Sequence, residues 1–368
     1  MLGYILALCG MLIGYLIFPN KTRRSQRNFL IWTTAIMIAF YGLRASTVGS
    51  DTVPYINMFL EAGVKPAGEL WEYMWKEKSP AFVLFEWIFY QVLPFPQLWL
   101  IATSAFFFIA FAKFIYENSE TPVYSYFIFF TIFGTFQMTG VRQSCAMAVF
   151  LFAYKYIKEK KLLKYLLMIG LAYLFHKSAI VLLPIYWFKN RKVRIIDAAI
   201  ITVVMVMIYR NRQELFEYIK GFTSYNYFEA LNHGEPINFS LMIYATTLLS
   251  FMLYCILNIK VKRAKSINNA DCRIKRLESE LPYYSLYTNS MYFASFFMPL
   301  VAVNGSVRRI VMYYALFMVI IVPKGLSELF PERSIKMIIK GVLGALLIYL
   351  LLSGVSGSSY AYKFCFVQ

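Results

Sequence analysis

Long apolar runs recur along nearly the whole chain and are separated by short polar segments. The runs are continuous rather than alternating, and many approach the roughly 20 residues that a helix needs to cross a bilayer. This pattern predicts an all-α, polytopic membrane protein rather than a β-barrel, whose strands alternate apolar and polar positions. About twelve transmembrane helices are predicted, at 1–18, 28–43, 98–115, 122–138, 141–157, 162–175, 178–189, 194–209, 239–259, 283–303, 308–323 and 338–353.

Two regions do not fit the pattern of a single helix that crosses the bilayer. The runs on either side of residue 176 are short, and we expect two half-helices that meet at a break. Segment 80–93 is also short and contains Glu86, so we expect it to be interfacial or re-entrant rather than spanning. It lies in the first of two predicted external loops, 44–97 and 210–238.

Composition indicates one integral membrane domain, 1–368, because 60% of the residues are hydrophobic and only 15% are charged. The net charge of +18 comes from short Lys/Arg clusters between apolar runs, which is typical of cytoplasmic loops, so we expect no nucleic acid partner. The five cysteines show no ligand or disulfide spacing. The run 1–18 lacks a basic segment before it and precedes "KTRRSQR", so we expect a retained helix.

The basic clusters orient the predicted helices, because Lys and Arg concentrate on the cytoplasmic side. The clusters that fall on this side are 21–27, 155–164, 189–194, 260–276 and 324–340. Polar groups from four helix ends then lie on the outer face: Arg44 with Asp51, the "TGVRQS" corner at 139–144, the "FHKSA" break at 175–179 and "NGSVRR" at 304–309.

Arginine at an apolar helix end costs free energy unless it is paired or hydrated, so these residues are functional candidates. Structural alternatives exist, since Arg44 and Asp51 could form a loop-fixing ion pair and Arg142 could reach the interface as a snorkelling side chain. Arg308 and Arg309 could contact lipid headgroups. The planar guanidinium nevertheless suits a diphosphate, because it makes bidentate, charge-assisted hydrogen bonds and stays charged.

His176 is one of two histidines and falls at the predicted break, where Lys177 and Ser178 follow it. A histidine among apolar residues is often structural. Here it also suits a proton acceptor, or a hydrogen-bond donor to a diphosphate. The other histidine, His233, is predicted to be an exposed loop residue.

Both external loops are rich in aromatic residues. Trp71 and Trp75 are one helical turn apart in the first loop. An interfacial aromatic belt explains these residues most simply. The alternative is a surface on which sugar rings stack, with carboxylates of the second loop as hydroxyl acceptors: Glu217, Glu229 and Glu235.

Several motifs of other protein classes are absent from the sequence. The chain contains no phosphate-binding GxxxxGK[ST] or GxGxxG, no HExxH, and no His/Cys/carboxylate cluster with metal-ligand spacing. We therefore expect no metal and no cofactor, and we expect the energy for any reaction to come from an activated lipid or a gradient.

Four stretches resemble, in order, the motifs of the EpsG-like, Wzy-type bacterial polysaccharide polymerases. "LRASTVGSDTVPYINMF" resembles the early external R…G-[ST]-D-x-x-x-Y motif, and "GVRQSCAMAVFLFAYKYI" resembles the R-Q-x-x-A helix start. "LAYLFHKSAIVLLPIYW" resembles the A-x-x-x-H-x-[ST]-A segment, and "RRIVMYYALFMVIIVP" resembles the late R-x-x-x-Y helix. The resemblance spans residues 44 to 323.

This resemblance implies a metal-independent glycosyltransferase of the GT-C kind in the bacterial inner membrane. It would move a growing glycan from undecaprenyl diphosphate to a lipid-linked repeat unit of an O-antigen, capsule or exopolysaccharide, facing the periplasm or cell exterior. The residues that match the family motifs are Arg44, Asp51, Arg142, Gln143, His176 and Arg308 or Arg309, with Tyr313 as a hydrogen-bond partner. The expected partners are the two lipid-linked oligosaccharides, membrane lipids and a chain-length regulator.

Within this reading, Arg142 and Arg308 or Arg309 hold the donor diphosphate. His176 orients or deprotonates the acceptor hydroxyl, or binds phosphate. Arg44 and Asp51 shape the outer rim. The rival readings are a flippase for lipid-linked oligosaccharides and a membrane acyltransferase acting on surface sugars. A flippase is disfavoured because its passage would need charges near the bilayer midplane, where the predicted helices carry few.

Overall fold

The computed structural model of the chain describes residues 2–19, 21–220, 237–266, 272–301, 307–355 and 361–366. These residues form α-helices joined by short connections, with one isolated antiparallel bridge between Arg44 and Phe364. The chain divides into two compact units. The first comprises Met1–Ile180 and Ile339–Gln368, and the second comprises Val181–Ile338. The all-α class predicted from the apolar pattern is confirmed for the described part of the chain.

The helices that lie wholly in the first unit are α1 Leu2–Ile17, α2 Arg23–Gly42, α3 Thr52–Gly63, α4 Ala67–Lys76, α5 Pro80–Val92, α6 Pro96–Asn118, α7 Pro122–Phe133, α8 Phe136–Thr139, α9 Val141–Lys158 and α10 Leu162–Phe175. A 3₁₀ helix, Lys177–Leu182, follows α10. The helices of the second unit are α11 Ile185–Phe188, α12 Ile195–Arg210, α13 Arg212–Lys220, α14 Ile237–Ser266, α15 Cys272–Val301, α16 Arg308–Ala315 and α17 Met318–Leu329. Helix α18, Arg333–Gly354, begins in the second unit and continues into the first.

Helix starts in the first unit follow local sequence rules. Pro80, Pro96 and Pro122 each stand at the start of a helix, where proline costs no hydrogen bond and its fixed φ angle suits the first turn. Thr22 caps α2 by accepting a hydrogen bond from the backbone N–H of Ser25, at 3.1 Å. These signals set the ends of helices whose apolar interiors predict only that a helix is present.

Helices α9 and α10 form an antiparallel hairpin, because only three residues join them. Lys160 has a positive φ of 57° in this connection, and its neighbours carry the basic cluster predicted at 155–164. The start of α9 and the end of α10 therefore lie at the opposite end of the hairpin from the basic turn.

Helices α2 and α6 pack antiparallel, so that the end of α2 lies beside the start of α6 and the start of α2 lies beside the end of α6. Gln97, at the start of α6, donates a hydrogen bond from Nε2 to the backbone carbonyl of Arg44, at 3.3 Å. At the other end, Arg23 Nη1 donates to the carbonyl of Tyr116, at 3.3 Å. Gln137, just before α9, accepts a hydrogen bond from Arg44 Nη1 at 3.2 Å, which joins this helix pair to the α9–α10 hairpin.

The first unit thus has two chemically different ends. The arginine end, defined by Arg44 and Arg142, contains the end of α2 and the start of α9. The basic end, defined by Arg23 and the α9–α10 turn, carries two of the predicted basic clusters.

Region 44–97, predicted to contain one short segment, forms three helices, α3, α4 and α5. Helix α5 has 13 residues, about 20 Å of helix, which is less than the roughly 30 Å of a hydrocarbon core. Helices α3 and α4 escaped the hydropathy pattern because they are short and carry charged residues such as Glu61 and Glu72. An aromatic cluster built on Tyr55, Phe82 and Trp99 joins this region to α6 and α9.

In the second unit, α14 and α15 extend beyond the apolar segments predicted at 239–259 and 283–303. The added turns are polar and carry ion pairs, such as Lys265–Glu278 at 2.5 Å. The predicted helix 308–323 is split into α16 and α17, which are bent by 51° at the break. The region after residue 176 forms a 3₁₀ helix and the four-residue α11 instead of the predicted half-helix 178–189.

Among the described residues, three helices are individually long and apolar enough to cross a membrane: α6, α14 and α18. The bent pair α16–α17 passes the same test as one broken span. Length and composition therefore make the chain an α-helical membrane protein.

Candidate functional site

Arg44 is fully buried just after α2, and its guanidinium contacts only neutral acceptors. Nη1 donates hydrogen bonds to Gln137 Oε1 at 3.2 Å and to the backbone carbonyl of Tyr41. Nε donates to Thr52 Oγ1 at 3.3 Å. The guanidinium therefore joins the end of α2, the start of α3 and the α8 segment.

No described carboxylate forms an ion pair with Arg44, and its Nη2 atom has no hydrogen-bond acceptor among the described residues. Burial lowers the pKa of Arg44 to about 10, which still leaves the side chain charged at neutral pH. Asp51 is half-buried and accepts a hydrogen bond from Ser50 Oγ at 2.9 Å. The loop-fixing ion pair between Arg44 and Asp51 therefore does not form. The positive charge of Arg44 is buried at the arginine end without a carboxylate partner among the described residues.

The turn before α3 depends on Gly49, which has a φ of +88°. A Cβ atom at this position would lie 2.8 Å from Met138 Cβ and 2.9 Å from Thr52 Oγ1. Both the backbone conformation and the space therefore require glycine. This turn brings Thr52 to Arg44, which gives a structural reason for the glycine of the early motif, Gly49.

A short C-terminal segment, residues 361–366, holds the backbone around Arg44 in place. Phe364 forms a bridge with Arg44, Ala45 donates its N–H to the carbonyl of Lys363 at 2.9 Å, and Cys365 donates to the carbonyl of Leu43 at 2.8 Å. Sequence reasoning missed this contact, because no local pattern links two segments so far apart in the chain.

Arg142 is half-buried in the first turn of α9 and points to the loop between α4 and α5. Its Nη1 donates hydrogen bonds to Ser79 Oγ at 3.1 Å and to the backbone carbonyl of Glu77 at 3.2 Å. The guanidinium carbon lies 5.7 Å from the centre of the Tyr55 ring, a cation–π distance. Nε is buried and makes no hydrogen bond within the described ranges. Gln143, the next residue, is buried.

Glu86 is a site residue that the sequence reasoning noted only for its effect on membrane spanning. It is fully buried in α5, and neither carboxyl oxygen has a hydrogen-bond donor among the described residues. Burial raises the pKa of Glu86 well above its ordinary value, although the positive charge of Arg142 opposes this rise. A carboxylate inside an apolar 13-residue segment was the available signal.

His176 ends α10 at the arginine end, as the hairpin geometry requires. It is half-buried and extended, its N–H donates to the carbonyl of Ala172 at 2.9 Å, and its carbonyl accepts from Ala179 at 2.9 Å. The preceding residue, Phe175, packs against Phe82 of α5 with ring centres 6.5 Å apart. His176 and Arg142 therefore both follow residues that pack in or against the aromatic cluster.

The second unit contains the remaining predicted site residues. Arg308 starts α16 and its guanidinium carbon lies 4.5 Å from the ring centre of Phe239, near the start of α14. Arg309 is half-buried and Tyr313 is fully buried. These residues lie at the opposite ends of α14 and α16–α17 from Glu328, which pairs with Lys324 at 3.2 Å and with Lys260.

Some predicted features lie outside the described residues. They are His233, Glu229 and Glu235 of the 210–238 loop, and residues 304–306 of "NGSVRR". Trp71 and Trp75 are described, stand exposed on α4, and meet edge to face with ring centres 5.8 Å apart. Within the described part of the chain, no group of three or more His, Cys, Asp or Glu residues is placed to hold a metal ion.

The sequence model of the EpsG family matches residues 27–366, a range that contains every candidate residue from Arg44 to Tyr313. No curated protein and no solved structure matches the chain.

Proposed function

We propose, from the premise that the chain belongs to the EpsG family, that it is a polysaccharide polymerase at the outer face of the bacterial inner membrane. It transfers a growing glycan from undecaprenyl diphosphate to a sugar hydroxyl of a lipid-linked repeat unit. This proposal includes about twelve membrane crossings in a GT-C-like arrangement, which requires several of the shorter apolar helices to cross in a thinned or protein-lined region.

One observation carries the proposal: Arg44, Arg142 and His176 gather at one end of the first unit, away from the basic end. Because basic loops stay on the cytoplasmic side, the arginine end would face outward. Lipid-linked repeat units that are polymerised outside the cell present their diphosphates at this face. Buried arginine without a carboxylate partner supports an anionic ligand, since such a charge is expensive to keep unpaired.

The chemistry follows from charge development during transfer. The bond between the glycan C1 and the diphosphate oxygen breaks, the acceptor oxygen bonds to C1, and the acceptor hydroxyl loses its proton. Negative charge grows on the departing diphosphate, and a preorganised guanidinium stabilises it more in the transition state than in the ground state. Arginine supplies this charge without a metal ion.

Individual residues then take distinct parts. Arg142 binds the diphosphate through the part of its guanidinium that is exposed, and His176 orients the acceptor hydroxyl or accepts its proton. Arg44 is fully buried, so it acts as a fixed positive charge behind the site rather than at the rim, while half-buried Asp51 remains the rim residue. Arg308 or Arg309 is proposed as a second diphosphate ligand, with Tyr313 as its hydrogen-bond partner.

The test uses purified protein in lipid nanodiscs, with the cognate lipid diphosphate-linked repeat unit, without nucleotide and with a metal chelator. Wild type is expected to produce a ladder of longer glycans. Arg142→Ala and His176→Ala are expected to lose at least about 100-fold in rate, the usual scale for removing an electrostatic or proton-transfer group. Arg24→Ala, an exposed arginine at the basic end, is the matched control and should retain the ladder.

If the protein were a transporter, the same assay should give no glycan ladder. A flippase would produce no ladder from the cognate repeat unit and would move that lipid across the bilayer of sealed vesicles. That result would overturn the polymerase proposal. Adding a chain-length regulator to an active preparation should change the dominant ladder length and leave the need for Arg142 unchanged.

A further inference from the structure

An apolar groove runs along α1 in the first unit, and residues of α2, α7 and α18 complete its walls. Its volume is about 530 Å³, within the range of roughly 300–1,000 Å³ that is typical of small-molecule sites. Ile5, Leu12, Phe127 and Ile348 are typical of its lining. No candidate residue of the arginine end is among the described residues that line it, so the groove is separate from the proposed site of transfer.

The direction of α1 shows how the groove lies between the two ends of the unit. Tyr4, at the start of α1, packs edge to face against Phe40 near the end of α2, with ring centres 5.2 Å apart. The other end of α1 leads into the basic cluster 21–27. Ile5 therefore lies nearer to the arginine end, and Tyr15 lies nearer to the basic end. These two lining residues are ten positions apart, about 15 Å along a helix.

The basic end of the groove carries a cation. Lys340 Nζ lies 5.1 Å from the centre of the Tyr124 ring, and both residues line the groove. Thr121 lines it as well, two residues after Ser119, whose carbonyl accepts a hydrogen bond from Arg23 Nη1 at 3.4 Å. Since Arg23 defines the basic end, the Lys340 ammonium lies at that mouth of the groove.

Helix α18 is held in this region by few side chains. The structure describes all of α18, and its buried residues are Leu347 and Leu351. Gly344 lies opposite Phe127, where an added Cβ would still be 3.9 Å from the ring. Ile348, which lines the groove, is half-buried. A long apolar ligand in the groove would therefore add contacts between α18 and the helices on the other side.

We propose that the groove is a binding site for an anionic phospholipid of the cytoplasmic leaflet, with one acyl chain along α1 and the phosphate beside Lys340. This inference does not depend on the proposed function, because the ligand is neither a glycan nor a lipid diphosphate.

The length of the groove selects an acyl chain from one leaflet. The hydrocarbon core of a bilayer is about 30 Å thick, so the chains of one leaflet fill about 15 Å of it. This length equals the distance between Ile5 and Tyr15 along α1. An undecaprenyl chain is much longer and would extend out of the groove.

Charge selects an anionic headgroup and the cytoplasmic leaflet. Basic segments stay on the cytoplasmic side of the membrane, and Lys340 belongs to the basic cluster 324–340. Basic pockets between transmembrane helices on this side are suited to the headgroups of anionic lipids. A zwitterionic phospholipid would offer the same chain but no net negative charge to Lys340.

A first experiment compares two headgroups on one groove. Delipidated protein in detergent is titrated with phosphatidylglycerol or with phosphatidylcholine of identical chains, and bound lipid is counted by native mass spectrometry. Wild type should prefer phosphatidylglycerol, and Lys340→Glu should weaken its binding at least about tenfold. Lys164→Glu, the same charge change at an exposed position of the basic end, is the control and should bind as wild type does. Equal phosphatidylglycerol binding by wild type and Lys340→Glu would overturn the proposal.

A second experiment fills the groove. Cys9 is exposed and lines it, so the indole of Cys9→Trp should occupy the path of the acyl chain. Leu6→Trp adds the same side chain to α1 at an exposed position outside the lining. Phosphatidylglycerol should raise the unfolding temperature of wild type and Leu6→Trp but not that of Cys9→Trp. An equal rise in all three proteins would show that the lipid binds elsewhere.

A third measurement leaves every residue of the groove as it is. Cys9 is kept as the single cysteine, and its rate of reaction with a small thiol reagent is followed in detergent. Phosphatidylglycerol should slow this reaction more than phosphatidylcholine does. An unchanged rate with bound phosphatidylglycerol would place the lipid outside the groove and refute the proposal.

Other occupants give distinct results in the same experiments. If undecaprenyl phosphate displaced phosphatidylglycerol and protected Cys9 at a lower concentration, the groove would bind the isoprenoid carrier and the phospholipid proposal would be wrong. A lipid-free dimer that Cys9→Trp separates would instead show that a second copy of the chain covers the groove. Because no readout involves a glycan, the polymerase proposal stands or fails independently of these results.

Discussion

Arg44 keeps a positive charge in a fully buried position among neutral acceptors. Three acceptors converge on it from separate segments, so its guanidinium contributes both charge and a structural connection. The sequence predicted Arg44 as an arginine at an apolar helix end that shapes the outer rim, whereas the structure buries it fully. Its neutral surroundings were not predictable, because Gln137 lies 93 positions away and approaches only through folding.

Replacing Arg44 by alanine should destabilise the protein by about 2–4 kcal/mol, since buried acceptors lose their donor and a cavity remains. Thermal unfolding in detergent measures this loss. Arg24→Ala, which removes an exposed arginine, should change stability by no more than about 0.5 kcal/mol. Equal stability of the two variants would contradict a structural contribution from Arg44.

Gly49 gives a second prediction at the same scale. Gly49→Ala should cost about 1–3 kcal/mol, because alanine at a φ of +88° is strained and its Cβ meets Met138. Gly68→Ala is the matched control, since a Cβ there meets nothing within 4 Å. If both glycine variants unfold at the same temperature as wild type, the turn does not require glycine.

At the scale of elements, the sequence predicted most helices and few of their exact connections. The range 162–175 agrees with α10, and 141–157 differs from α9 by one residue. Apolar runs indicate where a helix is buried in lipid, so they missed the polar turns that extend α14 and α15 and the charged helices α3 and α4. Burial of Glu86 depends on the packing of α5 against α3, α4 and α10, which periodicity in one segment cannot specify.

The C-terminal segment 361–366 should stabilise the arginine end, although it is distant from Arg44 in the sequence. Tyr362 stacks on Phe40 with ring centres 4.1 Å apart, and its hydroxyl donates to the carbonyl of Phe40. Tyr362→Ala should cost about 3 kcal/mol by the usual cost of deleting a packed aromatic side chain, and it should lower polymerisation.

Phe366→Ala is the control for this element, because Phe366 is 69% exposed and its removal should have a small effect. Unfolding temperature and ladder formation are measured for both variants. If Tyr362→Ala behaved as Phe366→Ala does, the segment would not support the site.

At the scale of the whole molecule, the account needs the arginine end outside and the basic end inside. Single cysteines at Ser50 and Lys160, in a chain whose five native cysteines are replaced, report these two ends. Ser50→Cys should react with a membrane-impermeant maleimide in cells whose inner membrane is intact. Lys160→Cys should react only after that membrane is opened. The reverse labelling would place Arg142 in the cytoplasm and contradict polymerisation at the outer face.

The most direct measurement follows bond formation and lipid release together in the purified protein. Each repeat unit added to the glycan should release one undecaprenyl diphosphate, and both signals should fall together in Arg142→Ala while Arg24→Ala keeps them. Equal loss of glycan extension and diphosphate release would support transfer from a diphosphate donor held by Arg142. Glycan extension that persists in Arg142→Ala, or lipid movement without any diphosphate release, would contradict the account.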